Sequence, residues 1–222
     1  MAEKPRVKAP KQRAVTSDES ARRRKTWAVV AAVVGVGAGV AAVAALLGFV
    51  GGSDKIDVSG VRTNVGAAGC TFQAAPALEG IHSIRTPSGT SPVWNTNPPT
   101  SGPHYAIPGI FGIYNEQVDM AMLVHDLEHG GIYILYGDKV PESTVEQLRA
   151  FYDDHKTGTT MAPLDRLGNE FAIGAWVVEG DVRNGFLAKC KTFDEGALSS
   201  FFGQLQFRGP ERFDPSQLTP GH

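Results

Sequence analysis

Cysteine is scarce in this chain, with only Cys70 and Cys190 among 222 residues. They lie far apart and form no CxxC pair, which argues against a dithiol redox enzyme. No P-loop and no G-x-G-x-x-G stands before a helix; Gly35-Val-Gly-Ala-Gly39 lies within an apolar segment and is no nucleotide site. Ser101 has no G-x-S-x-G context. Ser101, His104 and Asp126 are the residue types of a nucleophilic set, but nothing in the local sequence supports one. Net positive charge is missing from most of the chain. Residues 1–25 hold nine Lys or Arg and three acidic residues, about +6 in sum, so the remainder carries about −8 of the overall −2. An acidic domain argues against a nucleic-acid partner.

Charge is absent altogether from Trp27 to Val50, and Arg22-Arg-Arg-Lys25 precedes that run. At 1.5 Å per residue the run spans roughly 36 Å as a helix, enough to cross a bilayer. The positive-inside rule then sets an expected organisation. Residues 1–25 are a disordered basic cytoplasmic tail, 26–50 a transmembrane helix and 51–59 a linker. Residues 60–215 are an extracytoplasmic domain, and 216–222 a flexible C-terminal tail. A cleaved signal peptide is the competing reading, although its apolar core is normally about 7–15 residues long. The expected partners are the lipid bilayer and a membrane or envelope protein. On the oxidising side, a Cys70–Cys190 disulfide is expected, closing a loop of about 120 residues worth roughly 4–5 kcal/mol in chain entropy.

The stretch Met120-Ala-Met-Leu-Val-His-Asp-Leu-Glu-His-Gly-Gly131 carries the strongest chemical signal. As a helix it places His125, Glu128 and His129 at i, i+3 and i+4, on one side. Gly130 and Gly131 stop it, and Ile132-Tyr-Ile-Leu-Tyr136 reads as a buried strand. Upstream, 56–69 reads as turns with at most a short edge strand. Residues 88–103 hold Pro92, Pro98, Pro99 and Pro103, so they form an ordered loop that aims His104. Downstream come a helix to Asp154 capped by Ser143 or Thr144, and a strand at 161–164 that Pro163 confines to an edge. Then follow a strand at 171–178 and a last helix with Thr192 as cap. The class is α+β: an N-terminal transmembrane helix followed by one mixed α/β domain, thioredoxin-like in part.

His125-Asp-Leu-Glu-His129 has the H-x-x-E-H order of a zinc site in which glutamate acts as base toward bound water. Glu128 is thus the catalytic candidate. A metalloprotease would also need a downstream carboxylate, for which Glu170 and Glu195 are formal candidates. His104 offers a third imidazole, giving His104, His125 and His129 as ligands for zinc or copper. Met120 and Met122 would favour Cu(I), but core filling is the stronger reading of both. The alternative is a metal-free scaffold or protein-interaction domain in which these groups form a buried His/Glu network. A metal-dependent hydrolase is third, and whether the chain is an enzyme stays open. His82 and His155 look solitary.

Asn97-Pro-Pro-Thr-Ser-Gly-Pro-His-Tyr105 followed by Leu123-Val-His-Asp-Leu-Glu-His-Gly130 resembles the bacterial domain-of-unknown-function family numbered 3105. Ala175-Trp176 and Phe207-Arg-Gly-Pro-Glu211 look similar to it too. The resemblance implies a single-pass, outward-facing protein of the bacterial cell membrane, with His104, His125, Glu128 and His129 in one site. It implies no activity.

Overall fold

A computed structural model describes residues 55–82 and 93–221. In chain order they form α1 (Val58–Ala67), β1 (Thr71–Pro76), β2 (Gly112–Ile113), α2 (Met120–Glu128), β3 (Ile132–Tyr136) and α3 (Glu142–Asp154). Then come β4 (Thr159–Pro163), β5 (Phe171–Glu179), β6 (Val182–Cys190) and α4 (Glu195–Leu205), with short 3-10 turns at Asp165–Leu167 and Pro215–Gln217. The strands make one mixed sheet in the order β1-β6-β5-β3-β4-β2. The mixed α/β fold agrees with the sequence reading.

Local chemistry explains the sheet. β5 and β6 form an antiparallel hairpin whose last pair is Glu179 with Val182. Gly180 takes the positive φ that this tight turn needs. β3 and β4 are parallel, so a crossover must join them, and α3 supplies it. β4 is not an edge strand, because β2 pairs along its far side. Pro163 is tolerated because it sits at the strand's last position, opposite Tyr136.

Alternation along the strands feeds two faces. Tyr133 and Leu135 of β3, Ala172 and Trp176 of β5 and Leu187 of β6 pack with Leu123, Val124 and Leu127 of α2. Phe186 points to the opposite face, where its ring stacks on Phe72 and Phe72 meets Phe201 of α4. Phe151 of α3 packs edge-on against Phe202 of α4 on that same side. Gly174 lies at the centre of β5 because the Tyr133 ring covers it: a Cβ there would sit 2.2 Å from Tyr133 Cζ.

Several elements differ from expectation. Residues 58–67 are helical: Asp57 caps Gly60 N, and Val61 and Val65 form a narrow buried stripe four residues apart. β6 was not anticipated, since its apolar residues cluster at Phe186–Ala188 instead of alternating. α3 starts after Pro141 without a side-chain cap, and Asp194 rather than Thr192 caps α4. At the C-terminal end Leu218 is buried, and its carbonyl accepts from Gly158 N.

The membrane expectation is corrected. Among the described residues no helix is long and apolar enough to cross a membrane. The run at 26–50 that motivated the expectation lies outside them, as do the basic tail and most of the linker. A single-pass architecture, a bilayer partner, a cytoplasmic N-terminus and an outward-facing domain are therefore not carried forward. The disulfide is present: Cys70, just before β1, joins Cys190 at the end of β6, with a Cα–Cα distance of 4.4 Å.

Candidate metal centre

α2 is the platform. The Asp119 carboxylate caps its first turn by accepting from Ala121 N. All of its residues except Met122 are buried. With Leu123, Val124 and Leu127 committed to the sheet, the turn containing His125 and Glu128 faces a neighbouring loop. Met120 is part of the core and Met122 packs against it, so both methionines fill space.

That loop brings in His104. Tyr133 Oη donates to Pro99 O, Trp94 Nε1 donates to Pro103 O, and Thr96 bonds Thr100. Tyr105 N donates to Ala121 O and so ties the loop to α2. His104 N donates to Ile81 O at 3.0 Å, which brings the strand leaving β1, and with it His82, to the same place.

Four side chains converge. One ligand atom each from His82, His104, His125 and Glu128 lies within 4.8 Å of the others. His82 Nε2 is 2.8 Å and His104 Nε2 2.9 Å from Glu128 Oε2. The His82 and His125 rings stack at 5.1 Å, and His104 meets both edge-on. His104, His125 and Glu128 are buried, whereas the His82 side chain is 46% exposed.

Backbone carbonyls set the tautomers. His104 Nδ1 lies 2.7 Å from Gly102 O and His125 Nδ1 2.6 Å from Tyr105 O. A carbonyl only accepts, so each Nδ1 carries hydrogen and each Nε2 is left for the cluster. His104 Nε2 is fully buried and, despite its short distance to Glu128, has no hydrogen-bond partner of acceptable direction. Glu128 Oε2, 2.9 Å away, forms an ion pair with it. The two Nδ1–carbonyl bonds are the outer support that metal-bound imidazoles ordinarily have.

The charges follow from this packing. Burial alone would raise Glu128, but His104 and His82 outweigh it and hold the carboxyl down at about 2. Burial alone would lower His104; Glu128 and the Gly102 carbonyl outweigh it, and its pKa is raised. Burial dominates at His125 and lowers it, with the neighbouring His104 and His82 acting in the same direction.

Of the residues singled out from sequence, the structure joins His104, His125 and Glu128. His129 stands beside them, its Nε2 3.1 Å from His125 Nε2, but outside the set of four. His82, unanticipated, completes the set; nothing in its local sequence marks it, and only the pairing of segment 81–82 with the His104 loop reveals it. Glu170 precedes β5 and Glu195 opens α4, and neither belongs to the cluster. Ser101, His104 and Asp126 do not form a nucleophilic set: Ser101 Oγ accepts from Leu78 N, and Asp126 faces Gly109 and Thr160. His155 stacks on Phe151, away from the cluster.

Asp126 points from the other side of α2 into the protein. It is buried, Oδ2 accepts from Thr160 Oγ1, and Oδ1 has no partner. Desolvation pushes its pKa up to about 7, against the Gly109 and Thr160 hydrogen bonds. A group raised on folding gives its stability in full below its unfolded pKa, about 3.9, and loses it as pH rises through the folded value. In metal-free protein, Asp126→Asn is therefore expected to match the wild type near pH 4 and to exceed it by a few kcal/mol at pH 8. Urea denaturation at both pH values measures this; equal pH dependence in the two proteins would refute it.

A family model described as "Protein of unknown function (DUF3105)" matches residues 86–217, more than half of the chain. The chain belongs to that family. The match includes His104, His125, Glu128 and His129 and begins just after His82. No curated protein and no solved structure matches the chain. Of the readings drawn from sequence, the buried His/Glu network is the one present, and it is capable of coordinating a metal ion. The membrane-anchored version of the metal reading is withdrawn for want of a spanning helix among the described residues.

Proposed function

We propose that this DUF3105 domain holds one transition-metal ion, zinc or copper, and that the His/Glu network is the metal-free state of that site. The observation that carries the reading is the convergence of His82, His104, His125 and Glu128 within 4.8 Å, with His104 Nε2 buried and lacking a hydrogen-bond partner. Three imidazoles and a carboxylate suit Zn²⁺ or Cu²⁺; without thiolate or thioether among the four, Cu⁺ is disfavoured. Glu128 acts as a ligand here rather than as a base. Four protein ligands fill a tetrahedral zinc site and leave no position for a reacting water, which favours holding an ion over hydrolysis.

The second reading is a metal-free scaffold, favoured by the way Glu128 already pairs with His82 and His104. Calorimetric titration with Zn²⁺, followed by metal analysis, separates the two. The expected result is one ion per chain in the wild type and almost none in His104→Ala, His125→Ala protein. Near-zero metal in both would leave the scaffold. The ion competes with the proton, whose hold on His104 Glu128 strengthens, so affinity should weaken as pH falls, by about tenfold per pH unit for each proton displaced.

A further inference from the structure

We infer that His129 and Glu211 form an outer relay through which a metal ion enters and leaves the buried set. This rests on the proposed metal function and adds a route to it. The residues after α4 cross the C-terminal end of α2. Phe207 N donates to Gly130 O just beyond the helix, and Glu211 N donates to Glu128 O, a carbonyl that the helix itself leaves open. The crossing is close: a Cβ on Gly209 would lie 2.2 Å from Glu128 O. Arg208 and Arg212 both pair with Glu179 and fasten the strap to β5.

The strap places two groups beside the centre. Glu211 Oε2 lies 3.5 Å from His129 Nε2, and the Phe213 ring packs on the His129 ring at 4.2 Å. The Glu211 side chain is 45% exposed and that of His129 13%, while His125 is buried. Exposure thus decreases stepwise from Glu211 through His129 to His125.

His125 is the shared ligand. Its Nδ1 hydrogen is committed to Tyr105 O, so it has one lone pair, on Nε2. That nitrogen faces His129 Nε2 at 3.1 Å, and with the His125 hydrogen placed on Nδ1 the hydrogen between them is the one carried by His129. The spacing is that of two nitrogens on one ion, given metal–nitrogen bonds near 2.0–2.1 Å. A single lone pair serves one ion at a time. An ion held by Glu211, His129 and His125, the His129 Nε2 proton having passed to water, therefore moves inward as Glu128, His104 and His82 replace the two outer groups. Any proton on His104 Nε2 leaves to solvent as the ion binds there, and His129 takes a proton back from solvent. No oxidation or reduction is involved.

The test is the rate of Zn²⁺ exchange in the whole domain, followed by Trp176 fluorescence, since that ring lies 6.0 Å from His104. His129→Ala and Glu211→Gln should still bind one Zn²⁺ per chain with nearly unchanged affinity. Uptake and chelator-driven release should both slow, together, on the order of tenfold in each variant, because the transient outer complex loses a supporting group. His129→Gln guards against a packing defect under Phe213 and should slow exchange similarly. Unchanged rates in all three would overturn the relay while leaving the metal site intact. Weaker affinity with unchanged uptake would overturn it too, making His129 a resident ligand. A wild type that binds no Zn²⁺ would instead remove the metal reading on which the relay rests.

Discussion

Zn²⁺ in thousandfold excess over its Kd should stabilise the wild-type domain by about 4 kcal/mol, and His104→Ala should abolish that gain. For a domain of this size the gain corresponds to about 8–16 °C in Tm. The argument rests on linkage: an ion that binds the folded site and not the unfolded chain adds its occupancy to folding stability. His104 is the choice because it is fully buried, its Nδ1 is fixed by Gly102 O, and its Nε2 has no other hydrogen-bond partner. The substitution also leaves Glu128 with one imidazole fewer, so metal-free His104→Ala will be less stable from the start. The informative quantity is therefore the increment produced by Zn²⁺ in each protein, not the absolute Tm. His104→Gln retains side-chain volume and should lose the same increment. An equal Zn²⁺ increment in wild type and both variants would place the ion elsewhere and refute the four-ligand assignment.

What could be read in advance divides by range along the chain. α2 and β3 were legible because helical spacing, a glycine stop and a β-branched and aromatic run all agree within 17 residues, 120–136. β5 was legible from its own run of aromatic and β-branched residues. α1 was not: only Val61 and Val65 are buried, and the small and polar residues around them carry no helical stripe. β6 was hidden because its middle is covered on both faces of the sheet, so the period-two signal is lost.

The site divides in the same way. His125 and Glu128 declare themselves through i, i+3 geometry, and His104 through the turn chemistry of the proline-rich loop. His82 has no local signature. It joins the cluster because β1 pairs with β6, and the strand then runs on past Ala77 and Leu78 to the His104 loop. Glu211 reaches His129 only because Gly209 allows the strap to lie against α2. Both contacts depend on long-range topology, which spacing within a motif cannot encode. The long uncharged run near the N-terminus gave a strong local reading, but it lies outside the described residues, and among those no helix is long and apolar enough to cross a membrane.

Replacing both cysteines, Cys70→Ala with Cys190→Ala, should cost roughly 4–5 kcal/mol of stability in metal-free protein while leaving the Zn²⁺ increment unchanged. The magnitude follows from a bridge across 120 residues, because the unfolded chain recovers the loop entropy the bridge removed. Independence from metal follows from position. The bridge lies at one end of the β1–β6 ladder, beside the Thr71–Lys189 pair; the segment leading to His82 leaves from the other end, beyond Pro76 and Asn184. Six strand residues separate the two by about 20 Å, and effects that far apart normally add. The ladder itself, with Ala77 N donating to Arg183 O beyond it, still fixes the path toward His82 when the bridge is gone. Urea denaturation of both proteins, with chelator and with excess Zn²⁺, gives the four free energies required. A loss below about 1 kcal/mol would mean that the bridge constrains little in the unfolded chain. A Zn²⁺ increment that shrinks with the bridge would show instead that the disulfide, acting through β1, holds His82 in place.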